Sequence, residues 1–300
     1  MRQVLSRVVR LFYWWPKLLC MRRLVLMVWL LSCAVSALAQ GKPYKQLYVF
    51  GDSYSDSGAG YVDGNGPTAV VYLAQRLGIP FTYAHDAKAT VHGHIKMGLN
   101  FAVSGAKTDA GEGRRSPGGE LLGYGMRRQV DDFAALVKDG TVKFKPKETM
   151  FFLLGGLNDR SLPEGVTVAD LEGEIDTLYA LGARRFMVAL LPTKIPSFAT
   201  AGERFNPQLT TIPAAMKAKH PDITIANSQW GMFFDEVITH PEKYGFTNTT
   251  DKCAGRALRN EDTTPCATPQ SYFFYHEGHP STATHKVVGD MLYDEAVGKK

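Results

Sequence analysis

Ser53, in Gly51-Asp52-Ser53-Tyr54-Ser55-Asp56, and His279, in His276-Glu277-Gly278-His279-Pro280, are the residue types that nucleophilic acyl chemistry needs. A serine hydroxyl is a weak nucleophile until a base removes its proton, and imidazole does this near neutral pH. Such a reaction also needs N–H donors where the carbonyl oxygen becomes negative. The backbone N–H groups of Ser53 and Gly105, with the Asn158 side-chain amide, are the candidates: Gly105 closes Asn100-Phe101-Ala102-Val103-Ser104-Gly105, and Asn158 lies in Gly155-Gly156-Leu157-Asn158-Asp159. Glycine at 105 lets the backbone approach a substrate without a Cβ in the way. Taken singly, each block has an ordinary reading. Ser53 suits a helix N-cap, Asn158-Asp159 a turn, Gly105 a tight backbone position and His279 a loop. Asp52 and Asp159 read as carboxylates that brace loops.

Other motifs fail on their spacing. Ser104-Gly105-Ala106-Lys107-Thr108 has the ending of a phosphate loop, but Ala106 separates the glycine from the lysine. Ser55 stands where a Gly-x-Ser-x-Gly elbow around Ser53 needs its last glycine, which argues against the α/β-hydrolase fold. His92-Gly93-His94 with His276 and His279 lacks the carboxylate spacing of a metal site, so neither a metal nor a cofactor is expected.

The elements that must hold these residues alternate. Gln46-Leu47-Tyr48-Val49-Phe50, Met150 to Leu154, Phe186 to Leu191 and Ile223 to Ala226 are short apolar runs that read as buried strands. Helices are expected from Asn65-Gly66-Pro67, with a stripe of Val70, Val71, Ala74 and Leu77, then from about Val168 to Leu181, Pro207 to Lys219 and Thr282 to Ala296. The segment from about Ala84 to Arg128 is too irregular to assign. This order predicts an α/β fold with a mainly parallel sheet and helices on both faces. Ligands of such sheets bind beyond the carboxyl ends of the strands, which is where Ser53, Gly105 and Asn158 fall. The stretches from about Tyr83 to Lys96 and Thr193 to Phe205 are expected to line the entrance.

Gly51-Asp52-Ser53, Gly105, Gly156-x-Asn158-Asp159 and His279-Pro280 resemble, in order, the blocks of the GDSL or SGNH hydrolase family, over about Gln46 to Ala296. Asn65-Gly66-Pro67, Asn100-Phe101-Ala102 and Gly245-Phe246-Thr247-Asn248 are similar to its secreted branch of lecithinase/haemolysin-type and plant-type esterases. The resemblance implies a three-layer α/β/α, flavodoxin-like SGNH fold, and ester hydrolysis through an acyl-enzyme on Ser53 with His279 as base. One position departs from the pattern. The family usually places Asp three residues before its histidine, and here that residue is His276. A Ser–His dyad is therefore expected, its imidazole oriented by a backbone carbonyl such as that of His276, by Glu277, or by an acid from elsewhere. Acyl transfer to an alcohol, or a catalytically impaired binding protein of the same fold, are the alternatives.

Of the 34 Lys and Arg and 29 Asp and Glu, six basic residues and no acid lie within residues 1–39, so the rest of the chain holds 28 basic against 29 acidic groups. The basic surplus belongs to a leader rather than to a nucleic-acid face. Arg22-Arg23, the apolar run Leu24 to Leu31 and Ala37-Leu38-Ala39 have the parts of a secretory signal, with Met21 an alternative start, and residues 40–300 form the hydrolase domain. Export to the periplasm or medium is expected, and Leu30-Leu31-Ser32-Cys33 is a less suitable lipoprotein box. Removing the leader leaves Cys253 and Cys266 as an even pair, expected to form a disulfide rather than two free thiols. Such a loop closure contributes about 3 kcal/mol in the chain-entropy model. With 45% hydrophobic and 21% charged residues, the chain is neither disordered nor a small disulfide scaffold. Its partner is expected to be a small-molecule, lipid or glycan ester, with no nucleic acid; transient contact with a membrane surface stays open.

Overall fold

The computed structural model describes residues 44–58, 63–85, 93–115 and 118–299. The expected leader, with Met21 and Cys33, lies outside these residues, as does His92. Six parallel strands form the central sheet: β1 (Gln46–Phe50), β2 (Phe81–Tyr83), β3 (Gly98–Asn100), β4 (Thr149–Leu153), β5 (Arg185–Ala189) and β6 (Thr224–Ser228), in the order β2-β3-β1-β4-β5-β6. Leaving aside the edge strand β2, this is the flavodoxin-like order 2-1-3-4-5. Val49 of β1 is paired with Asn100 on one side and Phe152 on the other. A strand covered on both faces can be apolar without alternation, which is why Leu47 to Phe50 are all buried.

Helices cover both faces. α1 (Ala69–Leu77), α6 (Trp230–Thr239) and α7 (Thr282–Ala296) pack together, while α2 (Met126–Lys138) lies against α3 (Val166–Ala180), with α4 (Ala199–Leu209) and α5 (Ile212–Lys219) beside it. The stripe of α1 is Ala69, Val70, Leu73, Ala74 and Leu77. Leu73 takes the inward place expected for Val71, which is half-buried. α2 falls partly in the segment left unassigned, yet Val130, Phe133, Ala134 and Val137 follow a helical period. The helix expected from Pro207 to Lys219 is two helices. Pro207 sits in the last turn of α4, where its missing N–H removes one ladder bond, and Pro213 lies in the first turn of α5, where that loss is harmless.

A second, three-stranded sheet carries the histidine end of the chain. β7 (Asn248–Lys252) pairs parallel with β8 (Tyr272–His276), which turns through Glu277-Gly278 into the antiparallel β9 (His279–Pro280). Cys253 and Cys266 form a disulfide that closes the loop after β7, and Cys253 N–H and Ala254 N–H donate to the carbonyls of Phe274 and Tyr275 on β8. No helix among the described residues is long and apolar enough to cross a membrane.

Candidate active site

The loop after β1 is held from several directions. Gln129 of α2 receives the Gly51 N–H and donates its own amide to the Gly51 carbonyl, both at 2.9 Å. Ser55 and Asp56 N–H turn back to the Asp52 carbonyl at 3.0 and 2.9 Å, and Tyr54 N–H donates to the Asp52 carboxyl at 3.1 Å. Burial pushes the Asp52 carboxyl up to about 8, partly offset by the bond from Tyr54 N–H. Asn100, at the end of β3, donates to the Ser55 carbonyl at 2.6 Å and to the Ser57 hydroxyl at 2.7 Å. These bonds turn Ser53 toward the second sheet.

There the Ser53 hydroxyl meets His279 Nε2 at 2.8 Å, and both residues are buried. His279 Nδ1 lies 3.2 Å from the carbonyl oxygen of Glu277, which places the ring proton on Nδ1 and leaves the Nε2 lone pair for the serine O–H. The rings of Tyr54 and Phe198 stand 5.5 and 6.0 Å from the imidazole. Burial, then the Arg256 cation, then Arg114 and His276, hold the His279 pKa well below the ordinary imidazole value, the bond that Nδ1–H donates to the Glu277 carbonyl opposing them. A neutral imidazole at neutral pH follows.

Of the residues considered for orienting this ring, Glu277 acts through its backbone. Its side chain is exposed and pairs with Arg259 at 2.5 Å. His276 Nδ1 lies 3.2 Å from the Ala254 carbonyl, so its ring bonds to the disulfide-bounded loop rather than to His279. The sheet also brings Gly105 and Asn158 to the same carboxyl edge. Gly105 has φ +79°, a conformation that favours glycine, and a Cβ there would crowd Arg114 at 3.1 Å. Asn158 donates one amide hydrogen to the Ala106 carbonyl at 2.9 Å. Among the described residues, the N–H groups of Ser53 and Gly105 donate to no backbone acceptor. Asp159 accepts from Thr108 N–H, Thr108 Oγ1 and Thr167 Oγ1 at 3.2, 2.7 and 2.8 Å, a brace for its loop.

Two residues that sequence reasoning missed complete the site. Tyr54 is fully buried and donates its hydroxyl to the Gly278 carbonyl at 2.6 Å, tying the serine loop to the histidine turn. Asp63 is fully buried with its Oδ2 3.7 Å from His279 Nε2. It accepts from the Ser104 hydroxyl, from Arg114 at 3.2 and 3.4 Å, and from Arg256. The bare spacing of Asp63 carried no signal, since its partners are up to 193 positions away.

Two cavities are lined in part by residues of the loops that carry the site. One of about 520 Å³ is lined by Gly58, Tyr83, Phe101, Val103 and Leu122, and one of about 500 Å³ by Pro196, Ser197, Phe274, Glu277 and Gly278. Tyr83 and Ser197 belong to the two stretches expected at the entrance. No group of three or more His, Cys, Asp or Glu among the described residues is arranged to hold a metal ion.

Comparison with known proteins places this geometry in context. Residues 47–292 match the model of the GDSL-like Lipase/Acylhydrolase family. The thermolabile hemolysin of Vibrio parahaemolyticus is 29% identical over 227 residues, which is 66% of this chain but 51% of the hemolysin, so the chain spans about half the length of that relative. A GDSL esterase/lipase of Arabidopsis thaliana is 23% identical, over 89% of this chain and 92% of its own. The psychrotrophic esterase EstA from a Pseudoalteromonas species superposes with a TM-score of 0.45 at 14% identity, covering 85% of this chain and 97% of that one. With the family's pattern running from β1 through most of α7, the chain belongs to the GDSL-like lipase/acylhydrolase family and is a carboxylic ester hydrolase.

Proposed function

We propose that this protein is an exported serine esterase in which Ser53 attacks an ester carbonyl and His279 takes, then returns, the proton. The observation that carries this reading is the 2.8 Å contact between Ser53 Oγ and His279 Nε2, with Nδ1 held by the Glu277 carbonyl. As the Oγ–C bond forms, the carbonyl oxygen becomes negative and is received by the N–H groups of Ser53 and Gly105 and by the Asn158 amide. The tetrahedral adduct then collapses, the alcohol leaves with the proton from Nε2, and water repeats the sequence on the acyl-enzyme. No metal or cofactor enters these steps. Export rests on the leader read in residues 1–39, and agrees with the disulfide between Cys253 and Cys266, a bond kept in oxidising compartments.

The substrate is an ester small enough to place its carbonyl between the two loops, whether from a lipid, an acylated glycan or a soluble compound. A panel of p-nitrophenyl esters, with a fluorophosphonate probe, tests the assignment. Wild-type protein hydrolyses at least one ester and is labelled at Ser53, while Ser53→Ala loses labelling and about 10⁴-fold or more of turnover. Equal rates in the two proteins would overturn the nucleophile. An unlabelled, folded wild type would leave only a binding role, and ester exchange on adding an alcohol would identify a transferase.

A further inference from the structure

His276 stands three positions before His279, where related hydrolases place an aspartate, and its ring is bonded to Ala254 instead. That acid has two tasks in a Ser–His site: fixing the imidazole tautomer, and balancing the charge of the imidazolium formed during reaction. The Glu277 carbonyl performs the first. We propose that Asp63 performs the second, as a positioning residue on the Nε2 edge of the ring, so that the acid's two tasks are divided between a backbone oxygen and a carboxylate from the loop before α1. The proposal rests on the Ser53–His279 reading and deepens it.

The geometry favours this division. Asp63 is fully buried 3.7 Å from Nε2, where little water screens the attraction between opposite charges. That distance exceeds hydrogen-bond range, so the carboxylate leaves the Nε2 lone pair to the serine hydroxyl at 2.8 Å. Bonds from Arg114, Arg256 and Ser104 prevent it from moving onto the ring. When Ser53 O–H passes its proton to Nε2, the new cation finds a fixed anion; when that proton leaves with the alkoxide, Asp63 is unchanged. It exchanges no proton. The other groups facing the imidazole are Ser53 and Tyr54 from the serine loop, the Glu277 carbonyl, His276, His285 of α7, Phe198, and the cations of Arg114 and Arg256. Asp63 is the one carboxylate within 4 Å of the ring nitrogens among the described residues.

The test is the pH profile of kcat/KM, with kcat and KM separately, for wild type, Ser53→Ala, Asp63→Asn and Arg256→Gln. Asp63→Asn is expected to lower kcat about 10- to 100-fold, with KM within about threefold, and to move the acid limb down by about one pH unit or more. Arg256→Gln removes a cation while keeping the anion, and its acid limb moves up. Simple loss of loop order lowers activity in both variants without opposite shifts. Asp63→Asn with wild-type kcat and an unmoved limb overturns the inference while the Ser53 assignment stands. Hydrolysis surviving in Ser53→Ala overturns both. Should Asp63→Asn show no cooperative melting, the charge-conserving Asp63→Glu decides: an acid limb kept at the wild-type position supports the proposal, and a limb lowered by about one pH unit or more ends it.

Discussion

Under the proposed mechanism, the Asn158 side chain serves both structure and chemistry. Its amide nitrogen carries two hydrogens, and one is used on the Ala106 carbonyl at 2.9 Å, which fixes the plane of the group and aims the other. A donor held in this way needs no reorganisation when the oxyanion forms. Asn158→Ala is therefore expected to lower kcat by about 10²- to 10³-fold with a small change in KM, measured by steady-state ester hydrolysis. A matching rise in KM instead would mean that Asn158 binds the ground state. At this scale the sequence was legible wherever a residue type announces its chemistry. Ser53, Gly105 and Asn158 lie in the turns that follow strands, His279 follows the Glu277-Gly278 turn, and these residue types have few substitutes. The carbonyl of Glu277 has no such signature, because every residue carries one. Tyr54 looks like a spacer within Gly-Asp-Ser-x-Ser, and only the fold reveals that its hydroxyl ends at Gly278. Asp63 gave no hint because its role depends on Arg114 and Arg256, brought together by the second sheet and the disulfide-bounded loop.

Among the elements, the β8–β9 turn must stand still relative to the loop after β1, although the two belong to different sheets. Tyr54 is the strap between them, enclosed by Trp230, Phe234 and Phe198 at ring distances of 5.5, 5.4 and 5.3 Å. Replacing it with Phe keeps this packing and removes the bond to the Gly278 carbonyl, leaving that oxygen buried without its donor. Tyr54→Phe is expected to lose about 1–3 kcal/mol of stability and to lower kcat further than that loss explains, because the histidine turn is freed. Urea denaturation beside kinetics below the transition separates the two effects; a stability loss with unchanged kcat would confine Tyr54 to the core. The elements nearest the expected boundaries are β1, β4, β5 and α7, long apolar or capped segments whose pattern is local. Ser281, whose hydroxyl accepts from Thr284 N–H, explains why α7 starts at Thr282, as the sequence indicates. The strands β2 and β3 have three residues each, too short to show a period, and a Cβ at Gly98 of β3 would collide with the Leu47 carbonyl and the Phe81 ring, a constraint that only the fold reveals. α2 escaped because its first turn, Met126-Arg127-Arg128-Gln129, is polar and follows a glycine-rich stretch, and Gln129 spends its polarity on Gly51.

At the scale of the whole molecule, one buried carboxyl lies away from the serine, in the helix layer where α3 packs on α2. Glu174 of α3 is buried, and neither carboxyl oxygen has a hydrogen-bond partner among the described residues. Burial, reinforced by the nearby Asp170, raises its pKa well above the ordinary value, with Arg127 opposing the shift and Asp159 and Asp131 adding to it. Arg127 is already paired with Asp170 at 2.8 Å, so it balances Glu174 incompletely. The folded chain keeps the proton that the unfolded chain releases. The stability this linkage contributes is therefore complete below the unfolded carboxyl pKa, near 4.3, and is lost as pH rises toward the folded value. Glu174→Gln keeps the shape and removes the titration. The variant and wild type should melt alike at pH 4, and the variant should gain about 1.4 kcal/mol relative to wild type for each further pH unit until the folded pKa is reached. Thermal or urea unfolding between pH 4 and pH 9 reads this directly. Because Glu174 touches neither Ser53 nor His279, the esterase pH profile should remain that of wild type while the stability profile changes. Parallel curves of stability against pH for the two proteins would mean that the carboxyl is ionised in the fold and that water or a counter-charge reaches it.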